Sequence, residues 1–195
     1  MAANIRGILL AAGYSKRFGS NKLLQTLPAG TPEAGTPIGL AAARHLLDAL
    51  PESIAVVRPR AQKLGKLLRD AGCNTVVCKN AGEGMGTSLA AGVRAAADAH
   101  GWVIALADMP YLHPETIRVI AKAIADGAAI AAPTYRGERG HPVGFAKSYF
   151  DELVSLRGDH GARELLKQHS SLASLHEVDD PGVLRDIDRL SDLTR

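Results

Sequence analysis

The amino-acid sequence predicts an α/β protein: an open, mostly parallel, twisted sheet with helices on both faces. Two observations carry this expectation. Short apolar runs rich in Ile, Val and Ala alternate along the chain with longer segments of helical period, the rhythm of repeated strand–helix–strand units. The short runs are apolar nearly throughout instead of alternating with polar residues, as strands covered on both sides are. Length sets the scale. A chain of 195 residues suits one domain that hides about 70% of its unfolded surface. Residues 1–195 are therefore expected to form a single domain without disulfide or metal staples.

Taken in order, residues 5–11 form the first strand, apolar apart from Arg6. Further strands are expected at 53–58 (SIAVVR), 73–78 (CNTVVC), 102–107 (WVIALA) and 128–132 (AAIAA). Helices are expected between them at 38–49, 60–71, 87–99 and 114–126. In the last of these Ile117, Ile120 and Ile124 recur at helical spacing, and Pro114 suits the first turn. Crossovers between parallel strands are right-handed. Beyond Pro133 the rhythm weakens. The pattern there gives a short strand at 143–145, able to run antiparallel, and helical pieces at 153–156 and 162–169. A late strand at 175–178 and a last helical turn at 187–193 follow. Residues 28–37 (PAGTPEAGTP) read as loop.

Composition removes several function classes. The hydrophobic fraction of 46% and charged fraction of 22% are those of a folded protein. A net charge of +3 gives no footprint for nucleic acid. Cys73 and Cys78 match no zinc or redox spacing and read as buried free thiols. No apolar stretch reaches the roughly 20 residues of a membrane span, and the first residues lack the basic region of a signal peptide. The cytoplasm is the expected location, with no membrane partner. Charge is distributed unevenly: residues 1–45 hold five basic residues against Glu33 alone, and residues 176–195 hold six acids against three arginines.

The strongest local signal is LLAAGYSKRFGSNKLL, residues 9–24. A strand ends at Ala12, and Gly13 and Gly19 bracket a polar loop with Lys16, Arg17 and Lys22. Small residues let backbone N–H groups approach an anion, and the cations neutralise it. Ligands of open α/β sheets bind at the carboxyl ends of strands. The loop has neither the GxxxxGK[ST] spacing of a P-loop nor the GxGxxG of a dinucleotide fold. In ALADMP, residues 105–110, an apolar strand runs into Asp108. Mg²⁺ takes one or two carboxylates together with substrate phosphates, so Asp108 is a metal-ligand candidate; a strand-ending aspartate that satisfies local N–H groups is the plainer alternative.

Three weaker signals follow. In GEGMGTSLAAGV, residues 82–93, Thr87 or Ser88 either caps the next helix or places a hydroxyl near a ribose, base or phosphate. In YRGERGHPVGF, residues 135–145, the glycines give a mobile or tightly turned segment, with His141 beside Pro142. In GDHGARELL and GVLRDID, residues 158–166 and 182–188, Asp159 is a helix-cap candidate and Arg163 faces an anion or solvent. Asp186 and Asp188 point the same way if they lie on a strand, and one of them can complete a metal site with Asp108. No GxSxG elbow or paired cysteine nucleophile is present. The inventory favours electrostatic catalysis at a phosphoryl group.

In these motifs the chain resembles the molybdenum-cofactor, or MobA-like, nucleotidyltransferases. The matching residues are Ala11, Ala12, Gly13, Ser15, Arg17, Gly19 and Lys22, then Ser88 and Gly92, then Leu106, Asp108 and Pro110. Gly140 to Val143 with Phe145, Gly158, Asp159, Gly161, Arg163, Gly182 and Asp186 to Asp188 complete the set. The resemblance implies a Rossmann-like fold of the nucleotide-diphospho-sugar transferase type. It implies that the backbone from Ala12 to Gly19 wraps nucleotide phosphates, that Arg17 and Lys22 neutralise them, and that Asp108 and Asp188 hold Mg²⁺. Ser88 then lies near the nucleotide, and His141 and Arg163 on the acceptor side. Ala11-Ala12-Gly13 and GHPVGF resemble the cytidylyltransferase branch. That branch transfers CMP from CTP to the terminal phosphate of molybdopterin-bound molybdenum and releases pyrophosphate. Its partners include a recipient molybdoenzyme or insertion chaperone, and the protein is expected as a monomer or weak dimer. Two alternatives stay open: the same fold using GTP or another phosphorylated acceptor, and a non-catalytic carrier of the cofactor.

Overall fold

The computed structural model describes residues 3–14, 21–159 and 161–194. In chain order the strands are β1 (Ile5–Ala11), β2 (Ile54–Val57), β3 (Asn74–Val77), β4 (Gly101–Leu106), β5 (Ile130–Tyr135), β6 (Glu138–Arg139), β7 (Val143–Ala146) and β8 (Ala173–Glu177). The helices are α1 (Ile38–Ala49), α2 (Gln62–Asp70), α3 (Met85–Ala95), α4 (Pro114–Ala125), α5 (Phe150–Ser155) and α6 (Ala162–Gln168). The sheet order is β3-β2-β1-β4-β7-β5-β6, with β8 also paired to β5. β3, β2, β1 and β4 are parallel; β7 runs antiparallel between β4 and β5, and β8 is parallel to β5. This is the mostly parallel, helix-flanked sheet that the sequence predicts.

Strand alternation builds a core on each face. Leu9 and Ala11 of β1 face α1, α2 and α4, joining Leu46, Leu64, Leu68, Ile117 and Ile120. Ile8 faces the other way, against Leu89 and Val93 of α3, Leu153 of α5 and Leu165 of α6. Gly92 lets α3 settle onto the sheet: a Cβ there would lie 2.7 Å from Ile8 Cγ2 and 2.9 Å from Val56 Cγ2. Both cysteines are buried free thiols. Among the described residues no helix is long and apolar enough to cross a membrane.

Several boundaries differ from expectation. The strand placed at 128–132 is Ile130–Tyr135 and runs through Pro133. Its pairing to β7 covers Ile130 and Ala131, and its pairing to β6 begins at Thr134. Pro133 falls in the gap, where its missing N–H breaks neither ladder. The segment after it is tightly turned: Arg136 (φ 51°) and Gly137 (φ 80°) join β5 to β6 in a two-residue hairpin. The helix placed at 87–99 begins two residues earlier, at Met85, so Thr87 and Ser88 lie in its first turn, and Gly84 precedes it without a side-chain cap. Residues 28–37 fold back as a loop closed by a Thr26–Pro37 bridge and by a hydrogen bond from Leu27 N–H to Thr36 C=O.

Candidate functional site

The carboxyl ends of β1 and β4 open onto two neighbouring cavities. The larger, about 400 Å³, is lined by Lys22, Asp108 and Asp188 together with Ala12, Gly13, Tyr14, Gly82, Met85 and Ser88. The smaller, about 290 Å³, is lined by Met109, Arg139, His141, Leu166 and Asp186 among others. Both linings include Leu106, the last residue of β4.

Each charged group reaches the larger cavity through local backbone. Lys22 opens a single 3₁₀ turn, Lys22–Leu24, anchored by buried Leu23. Asp108 lies two residues past β4, and Ala107 N–H still donates to Leu10 C=O. The carbonyl of Asp108 accepts from Ile187 N–H at 2.9 Å, which brings the late segment 186–188 to the end of the sheet. Asp192 Oδ2 shapes that segment by accepting from the N–H groups of Asp188 and Arg189. Buried Asp180 fixes its approach, accepting from Gly182 N–H and from His113 N–H and Thr116 Oγ1 at the start of α4.

The result is a buried ammonium between two carboxylates. Lys22 Nζ donates to Asp108 Oδ2 at 2.8 Å and to Asp188 Oδ1 at 3.1 Å. Burial works to lower its pKa, but the two carboxylates outweigh it and hold the ammonium above its ordinary range. Asp186 is raised, first by burial and then by the charges of Asp108 and Asp188. Two hard oxygen donors from separate segments thus converge on one cationic atom, and this donor set fits Mg²⁺, which takes one or two carboxylates and completes its shell with phosphates and water. Among the described residues no group of three or more His, Cys, Asp or Glu could hold a metal ion alone, so a metal here would draw its other ligands from substrate or water.

Of the residues singled out from sequence, Lys22, Asp108, Asp188, Ser88, Ala12 and Gly13 all line the larger cavity. His141 lines the smaller one, with its N–H bonded to Val183 C=O. Ala11 does not line either cavity; it is the last residue of β1 and packs into the core. Ser15, Arg17 and Gly19, with Lys16, lie outside the described residues, as does the side chain of Arg163. The segment 186–188 is not a strand, and its two aspartates part: Asp188 lines the larger cavity and Asp186 the smaller. Asp159 does not cap α6, whose preceding residue is Gly161; it lines the larger cavity. What carries it there is glycine: Gly86 N–H donates to Gly158 C=O, and a Cβ on Gly84 would lie 2.3 Å from Gly158. Sequence reading missed Tyr14 and Asp159 as cavity residues. Tyr14 was detectable as the residue directly after Gly13, whereas Asp159 depends on a contact between distant loops.

Comparison with known proteins agrees with this fold. The chain is 31% identical over 201 residues to the purine catabolism protein PucB of Bacillus subtilis (strain 168), across 93% of this chain and 90% of that protein. It is 28% identical over 200 residues to nicotine blue oxidoreductase of Paenarthrobacter nicotinovorans, across 98% of this chain and 95% of that protein. Among solved structures, Rv0371c of Mycobacterium tuberculosis H37Rv superposes with a TM-score of 0.79 at 28% identity, covering 100% of this chain and 97% of that one. Rv0371c has also been crystallised in complex with manganese. Residues 7–173 match the model of the MobA-like NTP transferase domain, and with these relatives spanning nearly its full length, the chain belongs to the MobA-like NTP transferase family.

Proposed function

We propose that residues 1–195 act as one transferase domain that moves a nucleotidyl group from a nucleoside triphosphate to a small-molecule acceptor and releases pyrophosphate. The observation that carries this reading is the Lys22 ammonium held between Asp108 and Asp188 in the lining of one cavity, beside a second. The larger cavity takes the triphosphate and the smaller the acceptor. An acceptor oxygen attacks the α-phosphorus, a new P–O bond forms, and the bond to the β-phosphate breaks with its electrons leaving on pyrophosphate. No covalent enzyme intermediate is required.

Charge explains the need for a divalent cation. Asp108, Asp159, Asp186 and Asp188 line the two cavities, against Lys22 and Arg139. A triphosphate approaching these carboxylates needs further positive charge, and Asp108 and Asp188 are the residues that would hold Mg²⁺. When bound, the ion supplies charge neutralisation for the phosphates. Lys22 is placed to grip the transferring phosphate, and Ala12, Gly13 and Ser88 present small side chains and backbone to the nucleotide. Arg17, with Gly19 and Ser15, belongs to the same loop and is assigned to the phosphates by the family resemblance alone. His141 and Arg139 line the acceptor side.

The family supports general nucleotidyl transfer better than any one donor and acceptor. CMP transfer from CTP to molybdopterin-bound molybdenum is the narrower form of the reading. It is favoured by Ala11-Ala12-Gly13 and by Gly140–Phe145, and would add a molybdoenzyme as recipient. The test is pyrophosphate release from CTP, GTP, ATP and UTP with Mg²⁺, against molybdopterin-bound molybdenum and a set of other phosphorylated acceptors. Release with any pair supports transfer, and release with CTP and the pterin alone supports the narrower form. Binding of the pterin with no pyrophosphate from any pair would replace the enzyme by a cofactor carrier.

A further inference from the structure

We propose that Tyr14 and Met85 are the nucleobase-contacting side chains of the larger cavity, with Arg58 holding the Tyr14 ring in place. This deepens the transferase reading and rests on it. The lining of the cavity divides chemically. Lys22, Asp108 and Asp188 are joined by hydrogen bonds into one charged cluster; Tyr14, Ala81, Gly82, Gly84 and Met85 are uncharged, with Asp159 the one other carboxylate in the lining. A nucleoside triphosphate has the same division, so its phosphates belong to the first set and its flat base to the second.

Exposure points to the same two residues. Tyr14 is 47% and Met85 48% exposed, among the few large apolar side chains left open on the described surface. Both face a cavity that a ligand would fill, and burying them is the gain that ligand would bring. The types suit a base: an aromatic face stacks on a planar heterocycle whatever its identity, and the flexible thioether of Met adapts to its edge. Arg58 follows β2, and its guanidinium carbon lies 4.7 Å from the centroid of the Tyr14 ring, within cation–π range. Among the described residues no carboxylate pairs with Arg58. The hydroxyl end of the ring reaches Gly82, where a Cβ would lie 3.6 Å from Tyr14 Oη. The ring is thus supported by two other segments, one at the end of β2 and one before α3, in the position of a wall.

The proposal separates base binding from phosphate binding, and the probes do the same. Affinity is measured for CTP with Mg²⁺ and for inorganic tripolyphosphate with Mg²⁺, which lacks a base. Tyr14→Ala should weaken CTP binding about 10-fold, the size of one lost stacking contact, with tripolyphosphate affinity unmoved. Tyr14→Phe should recover most of the loss, because the face and not the hydroxyl is used. Met85→Ala and Arg58→Met should each weaken CTP by a smaller factor and spare tripolyphosphate. Thermal melts confirm that these surface variants remain folded. Equal CTP affinity in Tyr14→Ala and wild type would overturn the proposal and leave the transferase reading intact. Parallel losses for both probes would also overturn it, by placing Tyr14 at the phosphates. Wild-type protein that binds neither tripolyphosphate nor any of CTP, GTP, ATP and UTP would remove the transferase reading itself.

Discussion

At the scale of single residues, Lys22 joins the first loop to the last. One ammonium satisfies carboxylates that lie 86 and 166 positions away, so its loss acts on geometry and charge together. Lys22→Met is expected to lower turnover at least about 10-fold, since a charge aimed at the transferring phosphate disappears; unchanged steady-state kinetics in a folded variant would take Lys22 out of the site. The sign of its pKa shift matters for the controls. A lysine held above its ordinary 10.5 contributes fully below that value and loses its contribution only as pH rises through the folded one. Any acid limb in a pH–rate profile must therefore come from another group. Asp108→Asn should abolish Mn²⁺ binding measured by electron paramagnetic resonance, in the presence of nucleotide, while the protein stays folded. Burial alone raises the Cys73 thiol to about 11. Cys73 should therefore resist a thiol reagent at pH 8 in the native protein and react promptly in denaturant. Fast native labelling at Cys73 would show that the β3 edge opens.

At the scale of elements, close approach is bought with glycine. Gly92 brings α3 against β1 and β2, Gly144 of β7 meets Ile124 of α4, and Gly84 meets the turn at Gly158. Two terms of opposite sign act in Gly92→Ala. Helix propensity favours alanine by about 1 kcal/mol, while the added methyl overpacks a rigid core at a cost of about 1–3 kcal/mol. Its neighbours are Ile8 and Val56, whose branched side chains are fully buried or nearly so, so overpacking wins. The melting temperature should fall by a few degrees, about 2–4 °C per kcal/mol for a chain of this size. A rise would mean that α3 can move away from the sheet. The other device at this scale is capping over distance: Asp180 closes the start of α4 from 64 positions away, work that the uncapped sequence around His113 leaves undone.

At the scale of the whole molecule, the protein carries a net charge of +3, yet the described parts of its two cavities present more carboxylates than cations. Binding of a triphosphate should therefore depend steeply on a divalent cation. With Mg²⁺ and nucleotide at about 100 times the dissociation constant, linkage stabilises the fold by about 2.7 kcal/mol, a rise in melting temperature of about 5–10 °C. Replacing Mg²⁺ with a chelator should erase most of that rise. An equal rise without metal would mean that the loop cations suffice and that Asp108 and Asp188 serve Lys22 only.

The fold was legible in the sequence because its signals are local. Apolar runs of strand length, the Ile117–Ile120–Ile124 stripe and Pro114 at a helix start each speak for a few residues, and the strand–helix rhythm admits few topologies. Asp108 and Ser88 were legible for the same reason, since one follows the end of a strand and the other lies in the first turn of a helix, and Lys22 was legible from the cation-rich loop that leaves β1. What tertiary structure alone decided was the set of neighbours. The late segment reaches the site through the bond from Ile187 N–H to Asp108 C=O, which sends Asp188 to one cavity and Asp186 to the other. Asp159 enters through the contact of Gly158 with Gly84, and Tyr14 takes its place under Arg58 from another strand. Such pairings cross the chain at long range and depend on packing and backbone hydrogen bonds that no local pattern encodes.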